Sequence, residues 1–259
     1  MISKNNIQYR EQNENDINGQ PLISIVTVVF NGAKTLEQTI QSVISQPYQN
    51  KEYIIIDGGS NDGTLELIRK YEASLAYWIS EPDHGIFDAM NKGIAKARGE
   101  IIGIINADDW YEAGIFNTIA NQYLKVGPEF VIHGLLRNFL DEKIYSVAGN
   151  TIRGVRYNPV HHPTCFIPAR IYQNFGNYNI NYRYSADYDL ILRYIDRGVK
   201  FIFIEKIIAN FRLGGLSSIS KAEKEMYKVK AKHHLISKTE EVLRVLNVTV
   251  RSLIKRLLK

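Results

Sequence analysis

The apolar run Ile101-Ile102-Gly103-Ile104-Ile105 stops abruptly on an amide and two acids, Asn106-Ala107-Asp108-Asp109. No other stretch constrains the chain as much. A run of that length and composition predicts a buried strand. In open α/β sheets, ligands bind in the crevice outside the carboxyl ends of the strands. Adjacent carboxylates repel one another unless a cation or donor compensates them. The pair therefore points to a hard divalent ion with oxygen ligands, or else to a solvated turn.

Two other runs end in the same manner. Leu22 to Phe30 is almost continuously β-rich and ends in Asn31-Gly32, and Tyr53-Ile54-Ile55-Ile56 ends in Asp57 and the turn-rich Gly58 to Thr64. Between them, Thr35-Leu36-Glu37-Gln38 has capping-box spacing, and Leu36, Ile40, Val43 and Ile44 share one helical face. Leu65 to Tyr71 is amphipathic. Strand, helix, strand, helix at this spacing implies parallel strands with right-handed crossovers. Parallel strands point the same way, so Phe30-Asn31, Asp57 and Asn106 to Asp109 are expected on one rim of the sheet. Ile86 to Arg98 predicts a further helix, with Ile86, Phe87, Met90, Ile94 and Ala97 on the apolar face and Gly99 at its C′ position. Its other face presents Asp88, Asn91 and Lys92. Phe130–His133 and Ile144–Val147 predict a hairpin around Leu140-Asp141-Glu142-Lys143, and Lys200–Ile204 predicts another strand.

At 259 residues the chain suits one large domain with appendages. The single cysteine, Cys165, excludes an internal disulfide framework and suits a reducing compartment. No stretch approaches the roughly 18 apolar residues of a membrane span. Met1 to Gln20 is polar and lacks the apolar centre of a secretory signal, so it is expected to be a flexible lead, and the protein cytoplasmic. The net charge of +5 belongs to the tail: Lys221 to Lys259 holds eleven Lys or Arg against four Glu, a net +7, leaving −2 on everything before it. A slightly acidic body argues against a nucleic-acid binder. The expected division is a lead at 1–20, a body at 21–218 and a basic helical tail at 219–259.

The motifs Val28-Val29-Phe30-Asn31, Asp57 to Thr64, Gly85-Ile86-Phe87-Asp88-Ala89-Met90-Asn91-Lys92-Gly93 and Asn106-Ala107-Asp108-Asp109 resemble, in order and spacing, the GT-A-fold family 2 glycosyltransferases. The likeness is strong from Leu22 to Trp110. It continues more weakly through His161-His162-Pro163 and Ser185-Ala186-Asp187-Tyr188-Asp189 to Gly214-Gly215-Leu216-Ser217. It implies an α/β, Rossmann-like GT-A fold: a mostly parallel sheet flanked by helices, here with a C-terminal helical tail. It also implies an inverting, non-processive transferase that moves a sugar from a nucleotide-diphosphate donor to a glycan or lipid-linked acceptor, assisted by Mn or Mg. The Gln-x-x-Arg-Trp motif of the processive synthases is missing.

By this resemblance Asp108 is the principal metal ligand, with Asp109 supplying a second oxygen or holding a metal-bound water. Asn106 replaces the first acid of the family's Asp-x-Asp motif and brings hydrogen bonds without charge. Phe30 is expected to stack on the base with Asn31 beside it, and Asp57 to accept hydrogen bonds from base or ribose. Many relatives have a second Asp, which reads the base, where this chain has Gly58. Asp88 and Asn91 are expected on the donor side, the plain alternative being an i,i+4 Asp88–Lys92 ion pair. Glu81, Asp83 and His84 lie near the same rim. Asp187 aligns with the family's general base, although Ala186 replaces the acid before it. Asp189 competes, but on a helix it lies about 200° round from Asp187, so the two cannot face one substrate. His161 and His162 would point to opposite faces of a strand, which disfavours joint metal binding. A histidine in the acceptor pocket and a structural one both stay open. Gly214-Gly215 with Ser217-Ser218 suits a loop over the donor phosphates or a hinge to the tail.

In the tail, Ile236, Leu243, Leu246, Val250, Leu253 and Leu257 form a 3-and-4 stripe among basic residues. It suits packing on the body, a coiled-coil contact in a homodimer, or an anionic membrane surface. Two other functions compete with transfer. A sugar nucleotidylyltransferase needs a glycine-rich, arginine-containing loop after the first strand, which Asn31-Gly32-Ala33-Lys34 does not provide. A non-catalytic nucleotide-sugar-binding protein would dispense with Asp187.

Overall fold

The computed structural model describes residues 19–149, 160–214 and 220–257. Most of the expected lead, the residues 215–218 of the glycine-serine loop and the side chain of Leu257 lie outside the described residues. The first half alternates as predicted: β1 (Ile23–Val29), α1 (Leu36–Ile44), β2 (Lys51–Asp57), α2 (Thr64–Lys70), β3 (Tyr77–Ser80), α3 (Ile86–Lys96) and β4 (Ile101–Asn106). These four strands lie in the order β3-β2-β1-β4, all parallel. The register settles where they end, because Val29 pairs with Asp57 and Val28 with Asn106. All seven residues of β1 are buried. Alternate side chains feed two cores. Ile23, Ile25 and Val29 meet α1 and a later helix α4 (Ile115–Val126), while Val26 and Val28 meet α3. Each fully buried Ile or Val contributes about 1.5–3 kcal/mol relative to exposure, so a strand apolar on both faces has no stable alternative to a covered central position.

The second half is mixed. It comprises β5 (Trp110–Tyr111), β6 (Phe130–Leu140), β7 (Lys143–Ala148), β8 (Phe166–Pro168) and β9 (Lys200–Arg212), with α5 (Ala169–Phe175) and α6 (Ala186–Asp196). β8 joins β4 and β6, antiparallel to both; β9 runs parallel to β6, and β5 antiparallel to β9. The parallel character is thus complete in the first half and gives way after β4. The predicted hairpin forms between β6 and β7. β6 and β9 run further than their sequence patterns indicate, because β9 shifts register against β6 at Gly134–Leu136. A Cβ on Gly134 would lie 2.7 Å from the Ile204 carbonyl, so glycine lets the bulge pass instead of ending the strand. His133, on β6, is buried with Nε2 unpartnered, and burial pushes its pKa down to about 4, making it a neutral packing group.

Two local expectations are corrected. Thr35 makes no side-chain cap bond, and Gln38 accepts from Arg212 Nη2 instead of bonding back to the N-cap. Gly99 is not the C′ residue of α3, which ends at Lys96 with an extended Ala97. Its reason is close approach: a Cβ there would sit 2.5 Å from Ser24 Oγ, and its N–H donates to that oxygen at 2.8 Å.

The tail consists of α7 (Ser220–Lys232) and α8 (Lys238–Leu257). α7 is packed on α6. Val229 is fully buried against Tyr188 and Leu192, and Lys232 and His233 both reach Asp189 of α6. The boundary expected at 218 therefore does not separate α7 from the body. α8 lies on α7 through buried Val248 and Glu241, through an Arg251–Glu223 pair and with Arg244 over the Tyr227 ring. Its other face, Leu243, Leu246, Val250 and Leu253, is exposed. Among the described residues no helix is long and apolar enough to cross a membrane.

Candidate active site

The three strand ends converge on one rim, as the register requires, and backbone donors staple the first two together. Asn31 takes a positive φ of 54°; its N–H donates to Ser60 Oγ at 2.7 Å, and its Oδ1 accepts from the Asn61 N–H at 3.0 Å. Gly32 N–H donates to Thr64 Oγ1 and Ala33 N–H to Asp62 Oδ2. The Phe30 ring, at the end of β1, is 66% exposed. Such exposure is unusual for an aromatic beside a core strand and leaves a ring face open.

Three of the residues expected to meet a nucleotide do other work. Asp57 is fully buried, and its oxygens accept from the N–H groups of Gly59 and Ser60 and from the hydroxyls of Ser60 and Ser80. Three of those four bonds fall on Oδ2 and one on Oδ1, and with no surface exposed the carboxylate organises the loop instead of facing a base or ribose. Asn91 is engaged on both sides of its amide by the backbone of Tyr178, at 2.9 and 3.0 Å. Asp88 accepts from the His84 N–H at 3.0 Å and pairs with Lys92 at 3.6 Å, the i,i+4 alternative. Lys92 also holds Glu81 at 2.8 Å.

The acidic stop splits in the turn that follows β4. Asp109 turns inward: it is fully buried, its Oδ1 accepts from the Arg212 N–H, and its Oδ2 has no hydrogen-bond partner. Burial pushes its carboxyl well above the ordinary range, and the charge of Asp108 adds to the push. Its expected place as a metal ligand is therefore not met. Asp108 is half-buried on the rim. Burial raises its pKa too, against the opposing pull of His162 and Arg212. Arg212 is a member of the site that sequence reasoning missed. It donates to the Asp108 carbonyl at 2.8 Å, pairs with Glu142 and lies 4.8 Å over the Trp110 ring, locking the loop to the end of β9. Only its place just before Gly214-Gly215 hinted at this.

A divalent ion can be tested against these donors. Among the described residues no three His, Cys, Asp or Glu side chains converge into a preformed cage. Asp108, a part-buried carboxylate on the rim, and the neighbouring Asn106 amide suit an ion whose other ligands are phosphate oxygens and water. The residues fit a metal that arrives with a diphosphate.

Across the rim stands α6. Asp187, at its second residue, lies 3.7 Å from His162 Nδ1, while His162 Nε2 lies 3.3 Å from Asn106 Oδ1. The histidine thus bridges the strand-end side and the α6 side, a link across the site that the His161-His162-Pro163 motif alone did not indicate. His162 opens a short 3-10 turn, not a strand, and His161 is exposed. Asp187 keeps 22% of its side chain accessible. Asp189 is turned the other way and fully buried, held by Arg193 at 2.8 Å, Lys232 at 2.9 Å and His233 at 3.1 Å. Burial would raise its pKa, but bonds from His233, Lys232 and Arg193 outweigh that and hold it well below the usual carboxylate range. Glu225 of α7 accepts from the N–H groups of Arg183, Tyr184 and Ser185 just before α6. The first tail helix therefore fixes the end of α6 that carries Asp187.

Residues 24–198 match the family model described as glycosyl transferase family 2. An uncharacterized glycosyltransferase of Mycobacterium tuberculosis is 31% identical over 185 residues, which are 67% of this chain and 68% of that protein. A PGL/p-HBAD biosynthesis glycosyltransferase of Mycobacterium bovis is 26% identical over 204 residues, covering 76% of this chain and 80% of its own. Among solved structures, Staphylococcus aureus TarS 1–349 in complex with UDP-GlcNAc superposes with a TM-score of 0.69 at 14% identity, covering 88% of this chain and 71% of that one. A Pyrobaculum calidifontis mannosyltransferase in complex with GDP-Man and Mn2+ superposes with a TM-score of 0.65 at 17% identity, covering 89% and 69%.

Proposed function

The chain belongs to glycosyltransferase family 2, and on that premise we propose that it is an inverting transferase, moving a sugar from a nucleoside-diphosphate donor to a hydroxyl of a glycan or lipid-linked acceptor. The observation that carries this reading is the pairing, across His162, of the Asn106–Asp108 strand end with the accessible carboxylate of Asp187. Phe30 and Asn31 border the nucleoside side of the rim, and Asp108 with Asn106 would hold the divalent ion. When bound, that ion neutralises the charge developing on the diphosphate. Asp187 takes the proton of the acceptor hydroxyl as its oxygen bonds to the anomeric carbon, while the bond from that carbon to the diphosphate breaks and the electron pair leaves with the phosphate. His162, between the two sides, orients Asp187. Attack opposite the leaving group inverts the anomeric centre. Incubating the full chain with UDP- and GDP-linked sugars, Mn and glycan or lipid-linked acceptors should yield a glycoside of inverted configuration by NMR; a retained configuration overturns the reading.

The proposal extends to a cytoplasmic membrane surface, reached through α8. Six large apolar residues on that helix, Val242, Leu243, Leu246, Val250, Leu253 and Ile254, are exposed, which packing on the body does not explain. The basic groups Lys238, Arg244 and Arg251 each have an acidic partner, so the apolar stripe supplies the larger part of the attraction. Deleting residues 238–259 spares α7 and its contacts with α6. That truncated chain is expected to stay folded and to lose co-sedimentation with anionic vesicles, whereas the intact chain keeps a salt-resistant fraction of binding. A dimer of the intact chain with no vesicle binding at low salt would assign the stripe to a second copy instead.

A further inference from the structure

Resting on the donor-site reading above, we infer that Asp83 selects the base of the nucleotide, favouring bases that carry an imino N–H on their pairing edge. Gly58 shows where Asp83 stands. A Cβ on residue 58 would lie 2.5 Å from Asp83 Oδ2 and 3.4 Å from Cδ2 of the Phe30 ring. The carboxylate thus fills the space that a side chain on residue 58 would enter, at the edge of an exposed aromatic ring. It is held there from two sides. Its Oδ1 accepts from the Gly85 N–H at 2.7 Å. The segment before it is tied to the β2 loop, since Glu81 N–H donates to the Asp57 carbonyl at 3.0 Å and Ser80 Oγ to the Asp57 carboxylate. Oδ2 takes no hydrogen bond from the described residues.

The other acids nearby are engaged. Asp57 has its four donors, Glu81 holds Lys92, and Asp88 holds the His84 N–H and Lys92. Asp83 Oδ2 is therefore the carboxylate oxygen open to a planar ligand stacked on Phe30. An ionised carboxylate only accepts. The N3–H of uracil or thymine and the N1–H of guanine donate to it. Cytosine N3 and adenine N1 would set a lone pair against a lone pair, and the polar mismatch at a desolvated edge costs binding.

The test measures the affinity of the full chain for UDP, dTDP, GDP, CDP and ADP with Mn by titration calorimetry, with melting curves as the folding control. The wild type is expected to bind at least one of UDP, dTDP and GDP about 10- to 100-fold more tightly than CDP and ADP, the scale of one charge-assisted hydrogen bond. Asp83→Asn should compress that gap to within about threefold, because an amide can also donate. Gly58→Ala, which pushes the Asp83 carboxylate aside while leaving it in the chain, should compress it as well. A wild type that binds CDP or ADP as tightly as the imino bases overturns the assignment. So does an unchanged ranking in both folded variants, with the donor site left standing. Failure of all five nucleotides to bind overturns the donor site itself and the assignment with it.

Discussion

Asp187→Asn is expected to lower turnover about 10²- to 10⁴-fold while leaving nucleotide affinity and melting temperature nearly unchanged, the signature of a lost general base. Asp187 is accessible and its side chain makes few bonds, so an amide of the same shape keeps the packing of α6. Asp189→Asn is the contrasting variant. Its carboxylate is buried among Arg193, Lys232 and His233, and removing the charge strips Arg193 and Lys232 of their acidic partner while His233 keeps Asp196. The expected loss is about 3 kcal/mol, or about 6–12 °C in melting temperature for a domain of this size. The sign with pH follows from the lowered pKa of Asp189 in the folded protein. Its contribution is full above the ordinary carboxylate range and fades as pH falls through that range and below. Measuring kcat, KM and melting temperature on both variants separates chemistry from stability. If Asp189→Asn is folded and inactive while Asp187→Asn turns over normally, the two roles are exchanged.

Asp108→Ala, or removal of divalent ions from the wild type by EDTA, is expected to reduce turnover at least about 100-fold, since a few kcal/mol of charge stabilisation at the diphosphate is lost. The fold should not suffer. Asp108 is pushed up in pKa by burial and lacks an ion-pair partner among the described residues, so removing it leaves the melting temperature unchanged or slightly higher. Asp109→Asn should behave differently, acting through the loop, because Asp109 faces Arg212 and not the rim. Turnover as a function of Mn concentration and a melting curve for each variant test this pair. Full activity in EDTA would remove the metal from the mechanism.

Much of this site was legible before any coordinates. Three apolar runs ending in Asn31, Asp57 and Asn106 implied a shared rim, and the pairing of Val29 with Asp57 and of Val28 with Asn106 supplies it. Asp109 was misplaced because β4 ends at Asn106, and the turn beyond it, which no alternation governs, carries Asp109 into the core. Asp57 and Asn91 were misplaced for another reason. Each sits where a ligand residue would sit, and each is consumed by backbone donors or acceptors of loops that the sequence marks only as turns. The tail stripe was legible as a stripe, but its direction was not, because Val248 and Glu241 decide which face of α8 meets α7.

The parallel half of the sheet, the rim and the acid at its centre follow from the order of residues alone. Hydrophobic continuity and strand direction are local properties, and a run buried on both faces admits one kind of neighbour. Which polar groups are left open depends on contacts between distant segments. Asp83 meets Gly58, and His162 bridges Asn106 and Asp187, across separations that no periodicity spans. A side chain beyond a strand's end points wherever distant donors satisfy it, and those donors arrive only when the chain has folded.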